Sequence, residues 1–105
     1  MFLKLSADGS VSLEDRDNFR AFKLVIVGGP ARLDQARRAL LNTAELPDQA
    51  TAWIFEQALR QRAEVANNAT WQTNLGGMIE KAKPHGWIDE QKQAIKAHIE
   101  WVEPA

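Results

Sequence analysis

The 105-residue chain contains no cysteine, which excludes a disulfide framework and any thiolate metal site. Histidine is almost as scarce, with only His85 and His98. On a helix, His98 would need a second ligand at i+3 or i+4, and those positions are Trp101 and Val102. No metal site is therefore expected. Charge of one sign is also missing. Thirteen Lys+Arg stand against 14 Asp+Glu, for a formal net charge of -1, and Arg32, Arg37, Arg38, Arg60 and Arg62 are interleaved with Asp34, Asp48, Glu56 and Glu64. That pattern disfavours a nucleic-acid partner.

Long apolar runs are absent. Leu24 to Val27, extended by Gly28 and Gly29, falls far short of the roughly 20 residues that span a bilayer, so no membrane association is expected. Met1-Phe2-Leu3-Lys4-Leu5-Ser6 turns polar at Ala7-Asp8-Gly9, without the basic start and apolar run of a signal peptide. Phe2 and the lack of a C-terminal cysteine remove the common lipidation motifs. A cytoplasmic protein is the expectation. Catalytic signatures are missing too: there is no G-x-S-x-G elbow, H-E-x-x-H, phosphate-binding P-loop or EF-hand spacing. No catalytic residue and no cofactor is assigned.

What is present describes one ordinary globular domain spanning residues 1–105, with 45% hydrophobic and 26% charged residues. Phe2 to Ser6 and Val11 to Glu14 alternate apolar and polar around Asp8-Gly9, a hairpin signal. Lys23 to Val27 is rich in β-branched residues and suits a third strand after a short helical turn at Asp17 to Phe22. The rival is one helix from Asp15 to Val27.

Beyond Gly28-Gly29 the spacing predicts helices. Pro30 opens the first, with Leu33, Ala36, Leu40 and Leu41 as its stripe. Pro47-Asp48 opens a second, carrying Trp53, Ile54, Phe55, Ala58 and Leu59 and running to Ala66. A third, from Thr70, carries Trp71, Leu75, Met78 and Ala82, with Gly76-Gly77 inside it. After the Pro84-His85-Gly86 break, Asp89 caps a fourth, whose stripe is Ile88, Ile95, Ile99 and Val102. The expected fold is α+β: a small N-terminal antiparallel sheet (residues 1–28), then a mostly antiparallel four-helix bundle (residues 30–102). The alternative is all-α after a short hairpin.

Three constellations carry functional readings. Leu24 to Leu33 resembles the strand, Gly-rich turn and helix of a dinucleotide site. Aligning Gly29 with the central glycine, however, puts Val27 and Arg32 where the outer glycines belong. A simpler anion site with Arg32 in the first turn remains, against a plain strand-to-helix turn. Lys81-Ala82-Lys83-Pro84-His85-Gly86-Trp87 joins cations, an imidazole and an indole. Lys83, His85 and Trp87, with Arg32, are candidate contacts for a small anionic or aromatic ligand. The plain alternative is a helix end whose lysines oppose the macrodipole, followed by a stop and an anchor. Finally, Trp101 falls with Ala94 and Ala97 on a helical face offset from the Ile95–Ile99–Val102 stripe, a candidate interface. Together with the exposed edge of a short sheet, that face makes a non-catalytic interaction module, with a protein partner or self-association into a homo-oligomer, the leading functional expectation. Small-ligand binding or a small enzymatic domain is the alternative.

Overall fold

The computed structural model describes residues 1–104. Its centre is one seven-stranded mixed sheet. The strands are β1 (Phe2–Leu5), β2 (Val11–Glu14), β3 (Lys23–Val27), β4 (Ala44–Glu45), β5 (Thr51–Phe55), β6 (Ile88–Asp89) and β7 (Ala94–Val102). Their order is β2-β1-β3-β7-β5-β4, with β6 also pairing to β7. Three helices complete the fold: α1 (Leu33–Ala39), entered through a 3-10 turn at Pro30–Arg32, α2 (Glu56–Arg60) and α3 (Ala69–Ala82).

This overturns the four-helix bundle, and with it the all-α alternative. The expected hairpin is present, with Leu3 opposite Leu13 and Leu5 opposite Val11. Lys23–Val27 is a strand, but it runs parallel to β1 and to β7, so the N-terminal sheet is not purely antiparallel. The expected second helix is strand β5 followed by the short α2, and the expected fourth helix is the long strand β7. Residues 30–102 are thus not a helical segment. They contribute four of the seven strands, including the central one.

Alternation explains both reassignments. In β7, Ile95, Ala97 and Ile99 are buried, whereas Lys96 and His98 between them are exposed. In β5, Ala52 and Ile54 are fully buried and Thr51, Trp53 and Phe55 are half-buried. The register places Ala52 beside Ala97 and Ile54 beside Ile95, and Leu24 beside Ile99. One face of the sheet is therefore continuous and apolar. The buried helical side chains Ala36, Leu59, Trp71, Leu75 and Ile79 share a single core cluster with that face.

Trp71 is the largest fully buried side chain. Its indole N–H donates to the Arg16 carbonyl at 2.8 Å, and its ring meets Phe19 at 5.9 Å between centroids. The Asn68 side chain caps α3 by accepting from the Trp71 N–H at 3.0 Å. Arg60 ties α2 to α3, donating to the carbonyl and the side-chain oxygen of Gln72, while the Gln72 amide donates back to the Arg60 carbonyl.

The sheet edge at β2 is closed rather than open. Glu64 accepts from the Leu13 backbone N–H at 2.9 Å, and Arg62 donates to the Val11 carbonyl at 2.7 Å. Arg62 and Glu64 are themselves paired at 3.1 Å. The two side chains occupy the hydrogen-bonding groups that a neighbouring strand would use. The exposed edge expected to drive self-association is not available at this strand.

Candidate functional site

One edge of β7 changes partner part-way along. Its first residues pair with β6 and its last with β3, and the Lys96 N–H donates to the Trp87 carbonyl at 2.7 Å. Between Trp87 and Phe22 a groove of about 720 Å³ opens against β7. Ile95, Ala97, Met78 and Ala82 give it an apolar floor, with Phe19 and Phe22 as one wall.

The opposite wall is built by the chain reversal after α3. Lys83–His85 forms a 3-10 turn that ends on Gly86, whose φ of +75° lies in the left-handed region that glycine adopts without strain. That turn brings Trp87 back over His85, and the two rings stack at 4.3 Å with 18° between planes. Hydrogen bonds from the Gly86 N–H to the Lys83 carbonyl and from the Trp87 N–H to the Ala82 carbonyl hold the reversal. Trp87 nevertheless remains 47% exposed, one of two large apolar side chains left so open.

Electrostatics sets this groove apart from the rest of the surface. Arg20, Lys81 and Lys96 line it together with His85 and His98, and no carboxylate does. Most other cations are matched: Lys23 with Glu100, Lys92 with Glu45, Arg60 with Glu56 and Arg62 with Glu64. Arg37 meets Asp34, Arg32 donates to Gln35 and Arg16 to the Glu64 carbonyl. Among the described residues, the side chains of Lys4, Arg20, Arg38, Lys81 and Lys96 alone among the Lys and Arg have no such partner, and three of these five line the groove. A concave wall of unmatched positive charge on an apolar floor concentrates field toward a bound anion.

The residues singled out in the sequence divide between places. His85 and Trp87 meet in the groove. Lys83 does not: its Nζ lies 3.0 Å from Glu80 and 3.9 Å from Glu90. The Glu80 hydrogen bond raises its pKa, and it borders a separate hollow with Ile88, Asp89 and Glu90. Arg32 lies by the β1–β2 turn, near Asp8 and Gly9. Its stem covers Gly28, which has a φ of +122° and leaves the Arg32 Cδ only 2.5 Å from where a β-carbon would stand. Gly28-Gly29 thus serves a tight strand-to-helix turn with Arg32 folded over it.

The face expected to join Ala94, Ala97 and Trp101 does not form as an exposed surface: in a strand, Ala94 falls on the opposite face from Ala97 and Trp101, and Ala97 and Trp101 belong with the core side. Ala94 and Ala97 are both buried. Trp101 packs against the core and donates its indole N–H to the Gln49 carbonyl at 2.8 Å. The interface reading loses its basis at these residues.

Arg20 and Lys96 escaped the sequence reading, while Lys81 belongs to the Lys81–Trp87 constellation without being named as a contact and His98 is weighed there only as a metal ligand. Lys81 had a signal, since no acidic residue stands three or four positions away on α3. Lys96 and His98 share a face only once β7 is read as a strand. Arg20 arrives through tertiary packing and left no local mark.

No group of three or more His, Asp or Glu that would hold a metal ion occurs among the described residues. None of the helices among them is long and apolar enough to cross a membrane. The chain matches no protein-family model, no curated protein and no solved structure. Its functional reading rests on its own residues.

Proposed function

We propose that this chain is a small-molecule-binding domain whose groove takes an organic anion with a flat apolar body. The observation that carries the reading is that the unmatched cations Arg20, Lys81 and Lys96 line the same groove as the exposed His85–Trp87 stack, and no carboxylate lines it. The flat body rests on Trp87 and the Ile95–Ala97 floor, where an aromatic ring gains stacking as well as burial. The anionic group meets the lysines and Arg20, which bind it by charge-assisted hydrogen bonds. The cysteine-free composition agrees with a cytoplasmic setting.

The test holds the ring constant and inverts the charge. Indole-3-acetate and tryptamine are titrated against the protein, with the backbone amide signals of residues 81–98 as the readout. Indole-3-acetate is expected to shift these signals at least about tenfold more tightly than tryptamine, and Lys96→Glu is expected to abolish the difference. Equal binding of the two, or shifts confined to the other end of the sheet, overturns the reading.

A second reading is self-association through the sheet face opposite the core. There Trp53, Phe55, Val27 and Val102 are only half-buried. Sedimentation of the purified chain tests it: a concentration-dependent rise in mass that Trp53→Lys suppresses supports it, and a monomer at all concentrations removes it.

A further inference from the structure

The groove does not end at Arg20 and Lys81. A second hollow of about 590 Å³ adjoins it, sharing Phe19, Arg20, Met78 and Lys81 with it and continuing over Asn18 of the β2–β3 loop and over Thr73, Asn74 and Gly77 on the open face of α3. Its character differs from the first. The cations stand at the junction, and beyond them lie neutral hydrogen-bonding side chains, with Asp17 as the one carboxylate.

Gly77 has no internal reason to be glycine. It lies within α3, an exposed position in regular helical backbone, and a β-carbon built there meets nothing within 4 Å. Alanine would fit and would favour the helix. At the neighbouring Gly76 a β-carbon would make only an ordinary contact, 3.7 Å from the Arg60 guanidinium. A glycine that weakens a helix and packs against nothing in its own chain leaves bare backbone beneath a hollow that continues the candidate site.

We infer that the ligand is elongated: a planar head on Trp87, a phosphate-type anionic centre between Arg20 and Lys81, and a polar, uncharged tail lying over Gly77. This rests on the reading of the groove given above and adds the tail. The chemical class is a phosphoester or phosphoanhydride joining a planar ring to a sugar-like or amide-like group. Thr73, Asn74 and Asn18 offer donors and acceptors to such a tail, and Asp17 disfavours a second anion at that end.

ADP and ADP-ribose form the test pair, since they share ring and diphosphate and differ in the terminal sugar. Calorimetric titration of the intact chain is expected to give at least about tenfold tighter binding for ADP-ribose. Gly77→Leu, which fills the hollow, is expected to reduce ADP-ribose to the affinity of ADP and leave ADP unchanged. Should that variant fold poorly, Thr73→Leu gives the same comparison from the neighbouring turn. Equal affinities in the parent protein, a loss for both ligands in either variant, or no binding of either nucleotide overturns the inference. Indole-3-acetate, run alongside, separates the two claims. If it binds while the nucleotides show no tail effect, the groove stands and the tail falls; if it too fails, the groove reading falls with it.

Discussion

Removal of the Glu64 carboxylate tests how the β2 edge is held. Its Oε2 accepts the Leu13 N–H at 2.9 Å and pairs with Arg62, which in turn holds the Val11 carbonyl. A hydrogen bond to a charged acceptor contributes about 1.5–3 kcal/mol, and a partly exposed ion pair adds up to about 1 kcal/mol. Water can replace part of both at a sheet edge, so Glu64→Ala is expected to cost about 2 kcal/mol. For a domain of this size that lowers the melting temperature by roughly 10 °C.

Glu64→Gln keeps an acceptor and loses the charge, so about 1 kcal/mol is expected. Burial opposes ionisation of Glu64, but hydrogen bonds from Arg62 and the Leu13 N–H, together with its local backbone contact, outweigh it and lower its pKa below the usual carboxyl value. A carboxyl whose pKa is depressed by folding stabilises above its unfolded pKa and loses that contribution as pH falls through the folded one. The gap between parent and Glu64→Gln should thus be constant near neutrality and close on acidification below the ordinary carboxyl range. Urea unfolding at a series of pH values measures it. An alanine variant within about 0.5 kcal/mol of the parent, or a glutamine gap that persists undiminished in acid, refutes the argument.

Two further substitutions probe the turn and the core. Gly28→Ala is expected to destabilise by about 1–3 kcal/mol, because it combines a positive φ with displacement of the Arg32 stem. Gly29→Ala, with open space around the new carbon, should stay within about 0.5 kcal/mol in the same denaturation assay. Trp71→Ala is expected to cost about 3–5 kcal/mol and leave the chain largely unfolded by circular dichroism. Trp71→Phe keeps much of the packing but deletes the donor to Arg16, and should fold with a loss of about 1–2 kcal/mol.

The sequence misled where two periodicities coincide. Ile95 and Ile99 are four apart, a spacing that serves one helical face and one strand face equally well. Between them, Lys96-Ala97-His98 alternates as a half-buried strand does, but the stripe of Ile88, Ile95, Ile99 and Val102 behind an Asp89 cap reads equally as a helix. In Thr51–Phe55 the apolar residues fall on both faces, which hides alternation. The helical pair Glu56–Arg60, 2.8 Å apart, belongs to α2 and drew the expected helix back over the strand before it. The hairpin was legible because Asp8-Gly9 specifies its turn locally: the Gly9 φ is +88° and the Asp8 carboxylate accepts the Ser10 N–H at 2.9 Å. Of the groove, only the contiguous Lys81–Trp87 segment was legible, with His85 and Trp87 as its named contacts. The cations as a set are gathered from the 19–22 loop, α3 and β7.

The placement of β7 has a consequence for how the chain acquires its shape. Its nine residues near the far end of the sequence lie between β3 and β5 and join two groups of strands that do not otherwise pair. During synthesis the β2-β1-β3 ribbon and the β4–β5 hairpin emerge first, each with an edge awaiting the same late partner. Neither can close a sheet until residues 94–102 have left the ribosome. Such distant pairing makes folding slow, and the apolar edges of β3 and β5 are the surfaces on which an arrested chain would aggregate.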